Sequence, residues 1–238
     1  MRLLPAAALL TAAALPLALA ACTTGSPSAP APAAAPPSAA PSPANLNAGL
    51  LTGTQLKGLL EPRSYFPQGY ARDPAGTRDT GSGYQQPGAT DVTKPKCRLL
   101  GATSWTSITG ISGVSFAEDD YINKARSSEI AQEIDVYRGT ASQAVMRKLG
   151  AVATACPGYT DPQTGSRATV SEKASPRFAE GGCVITVTDP AWRSGTTLVA
   201  ARAGTAVVTV LSTDGADNGR ASAMRLASQL VSVLQGVT

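Results

Sequence analysis

The stretch TTLVAARAGTAVVTVLST, residues 196–213, decides the fold. Gly204 divides it into two apolar and β-branched runs, Thr196–Ala203 and Thr205–Thr213, in hairpin style. Strands joined so tightly run antiparallel, because a parallel pair needs a long crossover. Upstream, Gly182–Asp189 alternates Cys183, Ile185 and Val187 and reads as a further strand. Downstream, residues 214–218 (DGADN) form a turn and cap. A helix then runs from about Gly219 to Leu234, with Met224, Ala227, Val231 and Leu234 in one stripe broadened by Leu230.

Working back toward the N-terminus, Glu129–Tyr137 is the clearest single strand. Ile130, Ile134 and Val136 share one face, and Glu129, Glu133 and Asp135 share the other. Gly113–Tyr121 alternates Val114 and Phe116 against Ser115. Arg98–Ser107, with Leu99, Leu100 and Trp105, reads as a strand after Cys97, and Ala168–Ala174 as a weaker one. Thr140 is placed to cap a helix through Ala155, whose apolar side is Ala144, Val145, Met146, Leu149 and Val152. Thr54 is a candidate cap for a short helix over Gly53–Leu60, with Leu56, Leu59 and Leu60 on one face. Glu61–Lys96 reads as irregular, either a functional loop or a cover strand over the core. The sum is a single α+β domain over residues 46–238, an antiparallel sheet with helices packed on one face.

The first forty-five residues are of a different kind. Arg2 precedes a charge-free Ala/Leu run from Leu3 to Leu19, interrupted by Pro5 and Pro16 and short of the roughly 20 residues that span a bilayer. Residues 1–21 read as a signal peptide. Leu19-Ala20-Ala21-Cys22 resembles the bacterial lipobox, so Cys22 is expected to carry lipid. Each buried methylene contributes about 0.8 kcal/mol, and two or more chains hold a protein stably on a membrane. Residues 22–45, rich in Ala and Pro, lack the large apolar side chains that offset ordering entropy. They read as a disordered tether, extended to roughly 70 Å at about 3.1 Å per residue in polyproline II form.

Composition narrows the chemistry. The net charge of +4 falls to +3 without Arg2, and no Lys/Arg run points to nucleic acid. Histidine is absent, which removes Ser-His-Asp and Cys-His catalysis and histidine metal sites. Cys97, Cys156 and Cys183 lie in the domain. An exported compartment permits disulfides, but three cysteines allow three single pairings and spacing does not choose among them. Glu118-Asp119-Asp120 reads as a solvated strand end, lacking the spaced ligands of a calcium loop. The acids of residues 214–219 are also misplaced for calcium. Glu129, Glu133 and Asp135 fit either a solvent-facing strand or paired carboxylates for glycoside chemistry. Trp105 and Trp192 fit core positions better than a ligand groove.

The layout resembles the PknH-like extracellular sensor domain family, found on an actinobacterial serine/threonine kinase and in stand-alone lipoproteins. The features that carry the resemblance are the opening Leu-Leu-Thr helix at 50–52, Cys97, the Ala141–Ala155 helix ending in Cys156-Pro157-Gly158, and Cys183 opening a strand. Trp192, the 198–202 and 206–210 strands and the Ala/Leu-rich last helix complete it. The resemblance implies an antiparallel sheet with helices and a ligand cleft. The family's kinase member has two disulfides, and this domain can form one. Cys97–Cys156 fits the family layout, with Cys156–Cys183 as the competing pairing.

The expected function is a non-enzymatic ligand-binding or sensor module, anchored by lipid to the cytoplasmic membrane and facing outward. It takes a cell-envelope component or small molecule and no cofactor or metal. One alternative is a carboxylate-dependent envelope hydrolase, which requires two carboxyls converging in a pocket with perturbed pKa values. The other is a lipid carrier or structural lipoprotein, which requires a large closed apolar cavity.

Overall fold

The computed structural model describes residues 45–92 and 94–237. The expected signal peptide, Cys22 and all but the last residue of the expected tether lie outside them. The described residues belong to one compact unit. Its centre is an eight-stranded antiparallel sheet. The strands are β1 (Ala71–Asp79), β2 (Ser115–Asn123), β3 (Ser128–Val136), β4 (Gly158–Thr160), β5 (Arg167–Ala174), β6 (Gly182–Thr188), β7 (Thr196–Ala203) and β8 (Ala206–Ser212). They lie in the order β1-β2-β3-β8-β7-β6-β5-β4. Among the described residues five α-helices accompany them: α1 (Gly53–Lys57), α2 (Thr106–Thr109), α3 (Ala141–Leu149), α4 (Val152–Ala155) and α5 (Arg220–Gln235).

The α+β class and the antiparallel sheet are as expected, but the helices cover both faces. β7 and β8 explain why. Val199, Ala201, Val208 and Val210 join the Ala223, Leu226, Leu230 and Leu234 face of α5, together with Leu56 of α1. Leu198, Ala200, Val207 and Leu211 join Ile108, Val145, Leu149 and Val152 of α2, α3 and α4. A strand apolar at both parities needs cover on both sides.

Three local expectations change. The segment after Cys97 is a 3₁₀ turn (Cys97–Leu99) followed by α2, not a strand. Its apolar residues cap the sheet: Trp105 is buried and donates its indole N–H to Thr209 Oγ1 at 2.6 Å. The Thr140–Ala155 helix is interrupted at Gly150-Ala151, and Thr140 makes no side-chain cap. The cap of α1 is Thr52, in a reciprocal capping box with Gln55, not Thr54.

Within the stretch read as irregular lies β1, an edge strand on β2. Its register jumps between Asp73 and Arg78, and Pro74 sits in that bulge, where a missing N–H is tolerated. Gly76 of the bulge lies against Asp120, whose Oδ2 would be 1.8 Å from any Cβ added there.

Cys97 and Cys156 are joined by a disulfide across 59 positions, and Cys183 is a buried free thiol whose pKa burial pushes up to about 12. The bond ties the segment that carries Trp105 to the end of α4. Closing a loop of this length stabilises by about 4 kcal/mol on chain entropy alone. Replacing both Cys97 and Cys156 with serine is expected to cost about 2–4 kcal/mol in urea unfolding. An unchanged midpoint would show that the bond adds nothing to stability.

Candidate functional site

Two places on the molecule concentrate polar chemistry. The first is a cleft of about 540 Å³ at one end of the sheet. Three connections build it: Arg126 and Ser128 at the β2–β3 turn, Arg193 and Ser194 before β7, and Thr213–Asn218 between β8 and α5. Register brings them together, since Ser212 pairs with both Ile130 and Thr197. The walls are fixed by hydrogen bonds. Asn218 Oδ1 accepts from the Gly195 amide at 2.8 Å, and Thr213 Oγ1 accepts from the Glu129 amide at 2.8 Å. Buried Tyr70 donates to Ser128 Oγ at 2.9 Å, and burial raises its phenol to about 12. Arg126 and Arg193 are exposed, and neither takes part in any of the ion pairs among the described residues.

The acids of residues 214–219 serve this loop as turn and cap, as expected. Asp217 Oδ2 accepts from the Ala221 amide at 2.8 Å, and Asp214 Oδ2 from the Ser222 hydroxyl at 3.1 Å.

The second place is a row of carboxylates on one face of β1, β2 and β3. Glu118 sits opposite Glu133, Phe116 opposite Asp135, and Arg78 opposite Glu118. Neither acidic segment is solvated, contrary to the strand-end and solvent-face readings. Glu118, Asp119 and Glu133 are almost fully buried and Asp135 is only 8% exposed. The β1 bulge and the segment around Thr103 and Trp105 cover this face. The run 118–120 also divides between faces. Asp119 points to the opposite side, where Arg72 pairs with it. Arg78 Nε donates to Glu118 Oε2, and the Thr103 hydroxyl donates to Glu118 Oε1 at 2.8 Å.

Electrostatics here runs against ionisation. Burial first, then the charges of Glu118, Glu129, Asp73 and Glu133, pushes Asp120 up to about 8. Glu133 is raised by burial first and then by the charges of Asp135 and Glu118; Asp135 is raised by burial, which outweighs the lowering effect of its hydrogen bond with Glu133, and Glu118 adds to the rise. Glu129 is raised by burial, with Asp73 and Glu118 adding to it. Glu133 and Asp135 converge on a cavity of about 110 Å³, with Ser104, Thr106, Ser112 and Gln85 in its wall. Among the described residues no group of three or more acidic or cysteine side chains is arranged to hold a metal.

Trp105 is core, and half-buried Trp192 donates its indole N–H to Asp161 Oδ2 at 2.7 Å. Neither lines the cleft or the carboxylate cavity. Arg126, Arg193 and Arg78 carried no signal in the sequence, being isolated arginines that only strand register gathers.

No known family's sequence profile matches the chain, and no curated protein does. Among solved structures, the extracellular domain of PknH from Mycobacterium tuberculosis matches with a TM-score of 0.50 at 12% identity. The match covers 78% of this chain and 97% of that one. That likeness is one of fold.

The raised carboxylates set a stability profile. Their folded values exceed their unfolded values near 4, so the folded state holds protons that the unfolded state has released. Stability is full below about pH 4 on their account and falls as pH rises through the window from about 4 to 8. Asp79 and Asp161, both lowered, act in the opposite sense only at more acid pH. Calorimetry should show the melting temperature dropping between pH 5 and pH 8, with Asp120→Asn flattening the drop. A melting temperature that is level or rises across that window would refute the assignment.

Proposed function

We propose that this chain is a non-enzymatic ligand-binding or sensor module, held on the outer side of the cytoplasmic membrane by lipid on Cys22. Its ligand is a cell-envelope component or small molecule taken into the cleft between the β2–β3, β6–β7 and β8–α5 connections. One observation carries this reading. The cleft's volume of about 540 Å³ falls in the range of roughly 300–1,000 Å³ typical of small-molecule sites, and it is lined by two exposed arginines that make no ion pair among the described residues, against one carboxylate, Asp214. Guanidinium forks suit carboxylate and phosphate groups, so an anionic ligand fits best. The fold likeness to an extracellular domain supports an outward-facing module.

The hydrolase reading draws on the convergence of Glu133 and Asp135. Their cavity of about 110 Å³ lies well below the usual volume of a substrate site, which favours the binding module. The lipid-carrier reading wants a closed apolar cavity, whereas the cleft and the carboxylate cavity are lined by charged and polar groups.

Two measurements test the proposal. Native mass spectrometry of the chain purified from its own envelope should reveal a bound anionic species, lost in the Arg126→Ala, Arg193→Ala double variant. A ligand retained by that variant would place binding elsewhere. Cys22→Ala should move the protein from the membrane to the soluble fraction, and continued association with protein-stripped membranes would remove the lipid anchor from the account.

A further inference from the structure

We propose that Glu133 and Asp135 form a receptor for a primary ammonium group, separate from the arginine-lined cleft. The two residues stand two apart on β3 and so point to the same face. Glu133 is 2% exposed and Asp135 8%, and both line the cavity of about 110 Å³. Among the described residues no amide, hydroxyl or cationic side chain donates to Glu133 Oε2 or Asp135 Oδ2, and the one partner either carboxyl has across the pair is the other, through a shared proton. Buried acceptors left in this state are rare and costly.

The local charge makes the omission sharper. Glu118 and Asp120 of β2, Asp73 of β1, and Glu129, Glu133 and Asp135 of β3 share this region, with Tyr137 buried beside them. Among the described residues one cation, Arg78, faces them from β1, and its Nε is committed to Glu118. β8 contributes Val207 and Thr209 opposite Asp135 and Glu133, and the covering segment contributes Thr103; none of these carries charge. Among the described residues neither carboxylate at the cavity forms an ion pair; Arg78, in the same wall, acts on both only from beyond ion-pair distance. Either protons or a cation from outside completes them.

Three features select an ammonium group. It is a compact point charge with three N–H donors, enough to satisfy both free oxygens and one further acceptor among Ser104, Thr106, Ser112 and Gln85. A guanidinium is already present at this wall, because Arg78 lies 5.6 Å from the centroid of the Phe116 ring, and the remaining space is small. A metal would need ligands that do not converge among the described residues. The amine competes with the protons that burial draws onto the pair, so binding tightens as pH rises and releases protons.

The test uses the full chain in detergent and ethylammonium chloride as probe, followed by titration calorimetry at pH 6 and pH 8.5. Saturable binding is expected, at least about ten-fold tighter at pH 8.5, with heats that vary with buffer ionisation because protons are released. Glu133→Gln and Asp135→Asn should each abolish it. Arg126→Ala with Arg193→Ala should leave it intact, so failure here and failure of the cleft reading remain distinguishable. Tetramethylammonium, which has the charge but no N–H donor, should not bind. Absence of ethylammonium binding at both pH values would overturn the proposal, as would equal binding of tetramethylammonium or unchanged binding in the Glu133→Gln chain.

Discussion

Two central strands apolar on both faces are the constraint from which this structure follows. β7 and β8 offer no polar side to water, so the chain must supply a layer above and a layer below. It does so with α5 and α1 on one side and with α2, α3 and α4 on the other. The second layer is built from short pieces, and the Cys97–Cys156 disulfide joins its ends. Trp105 then closes that layer over β8 through its bond to Thr209.

Toward β3 and β2 the second layer runs out, and the character of the sheet changes with it. One face stays mostly apolar with Ile130, Ile134, Ala117 and Tyr121, Asp119 being paired there with Arg72, while the other turns to Glu118, Glu133 and Asp135. These acids begin one strand away from the Trp105–Thr209 contact, so they inherit the burial of a core without its apolar chemistry. Their raised pKa values follow from that position. The anionic cavity and the arginine-lined cleft arise from different parts of the chain: the first from one face of three strands and the segments that cover it, the second from three connections at the sheet end.

The sequence was most informative where periodicity was strong. The strands 182–188, 196–203 and 206–212 and the last helix lie within a residue or two of where alternation and the helical stripe put them. It was least informative where register decides. β1 carries no alternation, because its bulge at residues 73–78 breaks the period, so it could not be told from a loop. Glu133 and Asp135 do alternate with apolar neighbours, which is the pattern of a strand with one wet face. Whether that face is wet depends on Gly76, Thr103 and Trp105, which are distant in sequence. The arginines of the cleft were illegible for the same reason, since Arg126 and Arg193 meet only through pairings that involve β8.

The two borders of the sheet have a consequence for how copies of this protein meet. A long, flat outer strand invites another chain to extend the sheet. Here one border is β1, kinked by its bulge and deprived of a donor at Pro74, and the other is β4, only three residues long. Neither is a good template for strand addition. Crowded copies are thereby kept from zipping together through their backbones, and recognition is left to side chains and the loops that display them.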